Sequence, residues 1–228
     1  MTTLPPSASD QVFVEVSALN GGFVTLPEKL FVTDADPNLK KTVPSMCFLI
    51  RHRSKSGKTD RIVFDLGIKR ELTQYAQGMR DHLSKRQPIT TSPDTAESLR
   101  KGNLDPATDI THVILSHTHW DHIGMPSDYP NAQFIVGSGT LHTIVHGANH
   151  YPASMFEKDP LPFDRTKELP PTANSPCADI AAPTTHQTTH TWRPISTLPN
   201  ATDLFGDGSI YLIDAPGHLQ GHLNSSRA

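Results

Sequence analysis

The segment 117–122 places three histidines and one aspartate within six residues, and it constrains this chain more than any other feature. It reads His-Thr-His-Trp-Asp-His and directly follows the apolar run 111–116. Imidazole nitrogens bind zinc and its first-row neighbours, and carboxylates bind the same ions. A turn that leaves a buried strand can direct such closely spaced side chains at one point. This segment, the histidine motif, predicts a metal site for two ions, with a polar turn after a strand as the alternative.

The composition indicates a soluble globular protein without a nucleic-acid or membrane partner. The 228 residues suffice for one domain, and 36% of them are apolar. The formal net charge is −3, which gives no electrostatic basis for binding nucleic acid or a membrane surface. The first residues do not form a signal peptide, and no apolar run approaches the ~20 residues that span a bilayer. We therefore expect a soluble, cytoplasmic protein.

The sequence pattern predicts a loose tail followed by a single domain. Residues 1–10 are polar and contain proline, so we expect a flexible tail and a domain over 11–228. Cys47 lies in an apolar run and is expected in the core. Neither Cys47 nor Cys177 has the short spacing of a zinc knuckle.

Strands dominate the predicted first third of the domain. The expected strands are 12–16 and 23–26, with a turn at Asn20-Gly21-Gly22, and 46–53 and 61–66, around a hairpin loop at 54–58. Apolar residues at three- and four-residue steps then predict a helix over 69–85, and Ser92-Pro93 predicts the start of a second helix over 93–101.

The second half alternates strands and helices and then loses regular patterns. A strand at 111–116 delivers the histidine motif at its C-terminal end, where open α/β sheets tend to place their chemistry. The other expected elements are a strand at 133–136, a helix at 139–146 and a strand at 209–214. Segment 149–200 holds nine of the twenty prolines and is expected to be largely irregular, as a substrate-covering loop or a disordered insertion.

Four histidines outside the motif are interpreted as structural or exposed. His142 and His146 are four residues apart on the predicted helix, a spacing that can bind metal. No carboxylate lies between them and no neighbour completes a set, so surface or packing roles are favoured. His186 and His190 lie in the polar tract 183–190 and are expected in solvent.

Three segments together resemble a known family. The histidine motif resembles the HxHxDH signature of the metallo-β-lactamase superfamily. Ala215-Pro216-Gly217-His218 resembles the strand-turn that supplies the next histidine, and Phe64-Asp65-Leu66-Gly67 resembles the upstream strand end. The resemblance covers roughly residues 12–222. The motif with its flanks and the long following loop are similar to the fungal branch near the quorum-quenching lactonases and related lactamases.

The resemblance implies an α/β fold, an αββα sandwich, with two zinc ions (Zn²⁺) at its edge. His117, His119 and His218 would bind the first ion. Asp121 and His122 would bind the second.

The resemblance also implies roles for residues beside these ligands. Asp65 would orient a ligand imidazole or the motif loop. Asp121 would in addition move a proton to the leaving atom. Trp120 is expected in a wall or in the core rather than in catalysis.

The C-terminal part departs from the family pattern. The family's bridging aspartate and final histidine lie beyond the position of His218, whereas the ten residues after His218 contain no aspartate. His222 is a substitute ligand in principle, although a turn role is favoured. Residues 224–228 show neither strand nor helix pattern. We therefore expect an incomplete second zinc site, a second sheet short of strands with an open edge, and a truncated or alternatively spliced end.

These features predict a zinc-dependent hydrolase that opens a cyclic ester or amide of a small molecule, a lactonase or lactamase in the detoxification of a xenobiotic or plant toxin. Such chemistry requires no Ser, Cys or Lys nucleophile. The same fold also admits hydrolysis of a thioester or a phosphodiester. A truncated, inactive metal-binding member is the third alternative.

Overall fold

Thirteen strands and five α-helices make up the described part of the computed structural model, which covers residues 9–148, 150–173, 175 and 178–227. The strands are β1 (Glu15–Pro27), β2 (Lys40–Arg53), β3 (Thr59–Phe64), β4 (Ile89–Thr90), β5 (His112–Ile114), β6 (Gln133–Val136), β7 (Gly147–Ala148), β8 (Tyr151–Pro152), β9 (Thr166–Glu168), β10 (Arg193–Ile195), β11 (Leu198–Asp203), β12 (Ile210–Asp214) and β13 (Leu223–Arg227). The helices are α1 (Gln77–Leu83), α2 (Thr95–Lys101), α3 (Pro106–Asp109), α4 (Trp120–Ile123) and α5 (Thr140–His146). Most of the predicted tail, and Cys177, lie outside the described residues.

A seven-stranded sheet and a four-stranded sheet form the body of the fold. The large sheet has the order β4-β1-β2-β3-β5-β6-β9, and the small sheet has the order β10-β11-β12-β13. In the large sheet β1, β2 and β3 are antiparallel, while β3, β5, β6 and β9 run parallel. The hairpin predicted at 54–58 is confirmed, because β2 and β3 pair up to Arg53 and Thr59.

The core lies between the sheets and beneath the helices. Buried residues of both sheets form one cluster, which consists of Val14, Ile50, Ile62, Phe64, Ile114, Ile135, Leu169, Leu204, Ile210, Leu212 and Leu223. A second cluster on the other face of the large sheet includes Leu99 of α2 and Ile144 of α5. The predicted two-sheet α/β architecture is thereby confirmed.

The turn predicted at Asn20-Gly21-Gly22 is wrong, because these residues form a bulge within the continuous strand β1. The register with β2 shifts between Asn20 and Phe23, and the strand then continues. A Cβ on Gly21 would lie 2.5 Å from Cys47 Sγ and 2.9 Å from the Cα atom of Gly67. The glycine therefore permits a close approach of backbones rather than a chain reversal. Cys47 is fully buried, as expected.

The absence of strand character predicted for residues 224–228 is also wrong for 224–227, while Ala228 lies outside the described residues. Strand β13 pairs antiparallel with β12 over the whole range from Leu223 opposite Asp214 to Arg227 opposite Ile210. Only Leu223 of this strand is buried, so the apolar alternation that marks a strand is missing from the sequence. Among the described residues β13 is the edge of the small sheet.

The predicted helices are present but shorter than expected. The segment 69–85 contains a 3₁₀ turn at Leu72–Gln74 and then α1, because Tyr75 between them is extended. Helix α2 begins after Asp94, whose carboxylate caps it, rather than at Pro93. In α5, Val145 is 58% exposed and does not belong to the apolar face. No helix in the described ranges has both the length and the apolar character needed to cross a bilayer.

The proline-rich segment 149–200 contributes more structure than its sequence indicates. Strand β9 extends the large sheet, and Glu168 at its end is fully buried. This carboxylate accepts hydrogen bonds from the backbone N–H groups of Gly139 (3.0 Å), Leu141 (2.7 Å) and Ala182 (2.8 Å). It therefore ties the start of α5 to the proline-rich segment.

Candidate metal centre

The histidine motif and the turn that carries His218 meet where the two sheets face each other. The motif follows β5 of the large sheet, and the turn 215–222 connects β12 and β13 of the small sheet. The backbone N–H of Leu223 donates to the carbonyl oxygen of Ser116 at 2.7 Å. This hydrogen bond joins the two sheets directly beside the histidines.

Three histidines form a compact group of possible metal ligands, the trihistidine centre. Its members are His117, His119 and His218, and their ligand nitrogens all lie within 4.8 Å of one another. Nε2 of His117 is 2.9 Å from Nδ1 of His119. His117 is 4% exposed, His119 is partly buried and His218 is exposed. The three histidines that were expected to bind the first ion therefore lie close together, although they follow strands of two different sheets.

The surroundings keep these imidazoles neutral, which is the form that binds a metal. Burial, followed by the neighbouring imidazoles His122 and His119, holds the pKa of His117 far below its ordinary value. Burial and His218 lower the pKa of His119 to about 4. Burial and His222 also lower the pKa of His218. Three neutral, partly desolvated imidazoles are the ligand set of known zinc sites, so the residues present fit a zinc ion.

Asp65 forms hydrogen bonds with the loop that carries the histidine motif, and it lies at a strand end as the sequence predicted. It directly follows β3, adopts a left-handed backbone conformation with φ of 61°, and is 3% exposed. Its Oδ1 accepts from the Ser116 N–H, and its Oδ2 accepts from the Ser116 hydroxyl, both at 2.7 Å. Nδ1 of His122 also donates to Oδ2, at 2.8 Å. Asp65 therefore fixes both the loop and one imidazole.

Further contacts hold the other side of the motif loop. The hydroxyl of Tyr75 donates to the carbonyl oxygen of Trp120 and accepts from the backbone N–H of Lys69, both at 2.8 Å. The ammonium group of Lys69 donates to the carbonyl oxygen of Gly124 at 3.2 Å. Trp120 itself is buried and packs edge-on against Tyr75, as expected for a core residue.

Asp121 and His122 lie beside the trihistidine centre but do not complete a second one. Oδ2 of Asp121 is 3.8 Å from Nε2 of His122. Burial alone would lower the pKa of His122, but the hydrogen bond and charge of Asp65 outweigh it, and the pKa is raised. Among the described residues, no other His, Cys, Asp or Glu forms a close group of three with this pair.

His222 takes part in the turn and also touches the centre. Its Nδ1 donates to the carbonyl oxygen of Ala215 at 2.9 Å, in keeping with the predicted turn role. Its ring centroid is 5.0 Å from that of His117 and 5.4 Å from that of His218. It therefore packs against the trihistidine centre without belonging to the close ligand group.

A cavity of about 800 Å³ opens beside the trihistidine centre. His119, His218 and His222 line one side of it, and residues of the proline-rich segment line the other, among them Tyr151, Pro170, Thr172 and Trp192. The size is that of a pocket for a small molecule.

Some residues of this site were missed in the sequence. The Tyr151 ring lies 4.8 Å from that of His119, and burial strongly raises the pKa of the Tyr151 hydroxyl. Trp192 donates from Nε1 to the carbonyl oxygen of Pro170 at 2.7 Å. Asp214 ends β12 in the cavity wall, and burial raises its pKa. For Tyr151 and Trp192, the only indication in the sequence was the expectation that segment 149–200 covers a substrate.

The remaining histidines differ in their surroundings. His142 and His146 line the cavity, and His146 is exposed as predicted. His186 is exposed, but His190 is only partly so, and its Nε2 donates to the carbonyl oxygen of Leu204 at 3.1 Å. The prediction that His190 lies in solvent is therefore wrong, because the irregular segment folds back onto the small sheet.

Two stacked sheets with a histidine centre at their common edge define a metal-binding α/β fold, and comparisons with known proteins agree with it. No protein-family model matches the chain. The chain is 29% identical over 97% of its length to the cytochrome P450 monooxygenase mpaDE of Penicillium brevicompactum, but this match spans 24% of that protein. It is 30% identical over 79% of its length to the metallo-hydrolase mfmC of Annulohypoxylon moriforme, and 28% identical over 79% to the gamma-lactamase FDB1 of Fusarium pseudograminearum.

The chain spans less than half of each of these relatives: a quarter of mpaDE, 42% of mfmC and 40% of FDB1. The name of mpaDE therefore does not assign an activity to this segment. In fold, the chain is similar to AiiA of B. thuringiensis with N-decanoyl-L-homoserine at its active site, with a TM-score of 0.61, 16% identity, and coverage of 94% of this chain and 70% of that one.

The histidine motif, the fold and these relatives agree with one another. Together they support the resemblance of this chain to the metallo-β-lactamase superfamily.

Proposed function

We propose that this chain is a zinc-dependent hydrolase that opens a cyclic ester or amide of a small molecule. The observation that carries the proposal is the trihistidine centre, which reaches the 800 Å³ cavity through His119 and His218. Neutral imidazoles at the wall of a small-molecule pocket are suited to place a metal ion against a bound substrate.

The relatives support the same reaction class. One is named a metallo-hydrolase and another a gamma-lactamase. A protein of similar fold, with a TM-score of 0.61 and 17% identity, is an N-acyl homoserine lactone hydrolase with the product N-hexanoyl-L-homoserine at its catalytic metal centre. A cyclic ester and a cyclic amide differ only in the leaving atom, so one site chemistry serves both.

In the proposed mechanism the residues of this chain hold the ion, orient the motif and move one proton. His117, His119 and His218 would hold a zinc ion, and that ion would polarise a carbonyl and lower the pKa of water to about 7. The Asp121 carboxylate, which is 28% exposed, would accept the proton that the attacking water loses and pass it to the leaving oxygen or nitrogen as the ring opens.

Two further residues keep this arrangement in place. Asp65 keeps the imidazole of His122 in one orientation, because it accepts the Nδ1 proton. Tyr151, packed on His119, closes one side of the centre against water.

The cavity lining favours an uncharged substrate over a phosphodiester. Among the described lining residues there is no lysine or arginine, and Asp214 is the only carboxylate. A phosphodiester needs cationic partners in a buried pocket, whereas a lactone or lactam needs only the metal and a few polar groups.

The test is hydrolysis of a substrate panel by the zinc-loaded chain. The panel contains γ-lactones, N-acyl homoserine lactones, γ-lactams, a glutathione thioester and an activated phosphodiester, and ring opening is followed by chromatography. We expect turnover of a cyclic ester or amide and a loss of more than ~100-fold in His117→Ala, because even changes to the partners of metal ligands cost 10–100-fold. His186→Ala is the matched control, since His186 is exposed and lies outside the cavity lining.

Three outcomes would contradict the proposal. The first is no turnover of any cyclic substrate by the zinc-loaded chain, which would favour an inactive metal-binding protein. The second is a preference for the phosphodiester or thioester. The third is equal activity in His117→Ala and wild type.

A further inference from the structure

A second pair of histidines faces the same cavity from helix α5. His142 and His146 are one helical turn apart, so their side chains lie on one face of the helix. Their ring centroids are 4.3 Å apart and the ring planes differ by 37°. Both rings line the 800 Å³ cavity, and no described ring contact joins them to the trihistidine centre. The pair is therefore a separate cluster of imidazoles.

One nitrogen of this pair lacks a hydrogen-bond partner in the described part of the chain. Nδ1 of His142 is buried and has no partner among the described residues. A buried ring nitrogen without a partner is uncommon, because it loses its hydrogen bonds to water without replacement. The pair at 186 and 190 differs in that each ring has a partner: Nδ1 of His186 contacts the Thr185 hydroxyl, and Nε2 of His190 donates to the carbonyl oxygen of Leu204, although Nδ1 of His190 also lacks a partner among the described residues.

The spacing of the rings matches what one metal ion requires. Two nitrogens at ~2.0–2.1 Å from a tetrahedral ion are about 3.3 Å apart. Rings whose centroids are already 4.3 Å apart reach that separation by side-chain rotation, with no movement of the helix. Because no described residue fixes the tautomer of His142, the ring is free to present the lone pair of Nε2.

A third imidazole and the lack of competing cations complete the argument. His150, in the loop between β7 and β8, lines the same cavity and is exposed. No lysine or arginine is among the described lining residues, so no fixed cation repels a divalent ion there.

We propose that His142 and His146 form a second metal-binding site, distinct from the trihistidine centre, which takes a divalent late first-row ion such as Zn²⁺, Ni²⁺ or Cu²⁺. Imidazole is a preferred ligand of these ions, and affinity rises towards the end of the row. The proposal does not depend on the hydrolase function, because it concerns binding to residues outside the trihistidine centre.

The test is a titration of the metal-free full chain with Ni²⁺ by isothermal calorimetry, with bound nickel counted after equilibrium dialysis. We expect wild type to bind one Ni²⁺ per chain more than His142→Ala/His146→Ala does. The matched control His186→Ala/His190→Ala removes two histidines at the same sequence spacing and should bind as wild type does. Alanine is compatible with the helix, and circular dichroism of each variant checks the fold.

Equal nickel binding by wild type and His142→Ala/His146→Ala would overturn the proposal, as would an equal loss in the two double variants. If the double variant does not reproduce the wild-type spectrum, His146→Ala alone decides, since this side chain is exposed. It should weaken the added binding step at least 10-fold, and an unchanged step would refute the site. Zinc retained at the trihistidine centre in every variant separates this result from a failure of the hydrolase proposal.

Discussion

His117 and His218 contribute to one centre from two sheets, and the chain holds them by different means. On the motif side, side-chain hydrogen bonds from Asp65 and Tyr75 fix the loop that carries His117. On the other side, His218 lies in the exposed part of the turn 215–222, which is positioned mainly by backbone contacts and by the hydrogen bond that the Thr143 hydroxyl donates to the side-chain oxygen of Gln220. The motif side is thus set by buried polar groups, and the turn side by the close approach of main chains.

This difference indicates which half of the centre is rigid before a metal binds. Buried, fully paired carboxylates fix their partners in one arrangement, because any displacement leaves a polar group without a partner. An exposed turn with few side-chain contacts opens at a lower free energy. We therefore expect the motif half to be preformed and the His218 half to adjust to the ion.

The largest expected effect is the loss of Asp65. Asp65→Ala leaves the Ser116 N–H, the Ser116 hydroxyl and Nδ1 of His122 without their acceptor in a buried site. We expect the free energy of unfolding to fall by about 3 kcal/mol or more, since each unsatisfied buried group costs ~1–3 kcal/mol. Zinc affinity should fall 10–100-fold. Urea unfolding of metal-free protein and a zinc competition titration measure the two quantities.

The control for this variant is Asp164→Ala, which removes an exposed carboxylate outside the site. It should change the free energy of unfolding by no more than about 0.5 kcal/mol. Equal effects of the two variants would mean that Asp65 does not brace the motif.

A smaller effect is expected in the turn half, from Gly221→Ala. Gly221 has φ of +73°, and a Cβ there would lie 2.1 Å from Oγ1 of Thr140 and 2.9 Å from the carbonyl oxygen of Gly137. The turn must shift to accommodate it, at a cost of roughly 1–3 kcal/mol. Zinc affinity should fall together with stability, because His218 moves with the turn.

Gly206→Ala separates backbone strain from close approach. Gly206 has a similar φ of +75°, but nothing lies within 4 Å of its Cβ position. This variant should lose about 1 kcal/mol and leave zinc affinity unchanged. A similar loss of zinc affinity in both variants would contradict the role assigned to the close contact at Gly221.

The smallest expected effect is the dependence of stability on pH in the metal-free protein. The folded state lowers the pKa of His119 from 6.5 to about 4, so the unfolded chain binds more protons between these values. Stability from this group is present above pH 6.5 and is lost as the pH falls towards 4. His117 and His218 act in the same direction, whereas the raised pKa of His122 opposes them.

Urea unfolding between pH 7.5 and 4.5 measures this dependence. His119→Gln should reduce the slope, because its amide does not titrate. A metal-free protein that becomes more stable on acidification would contradict the assignment.

The sequence was informative where the chemistry is local. The spacing of the histidine motif was enough to predict a metal site at a strand end, and the resemblance to the metallo-β-lactamase superfamily implied the roles of Asp65 and His218 at two further strand ends.

The sequence was uninformative where backbone pairing or long-range contacts decide the structure. Strand β13 has one buried side chain and is held by its pairing with β12, which no periodicity reveals. The bulge at Gly21 depends on the approach of Gly67 from another strand. Tyr151 reaches His119 from the short β7–β8 hairpin, where it pairs with Ala148, a contact that the local sequence does not encode.

Zinc content measured by mass spectrometry tests the central claim most directly. The wild-type chain and His117→Ala/His119→Ala/His218→Ala are dialysed to equilibrium at a free Zn²⁺ concentration that leaves weak sites empty. The trihistidine centre predicts at least one zinc per chain in wild type and in His186→Ala/His190→Ala, and none in the triple variant. A wild-type chain without zinc above background, or a triple variant with as much zinc as wild type, would contradict the account.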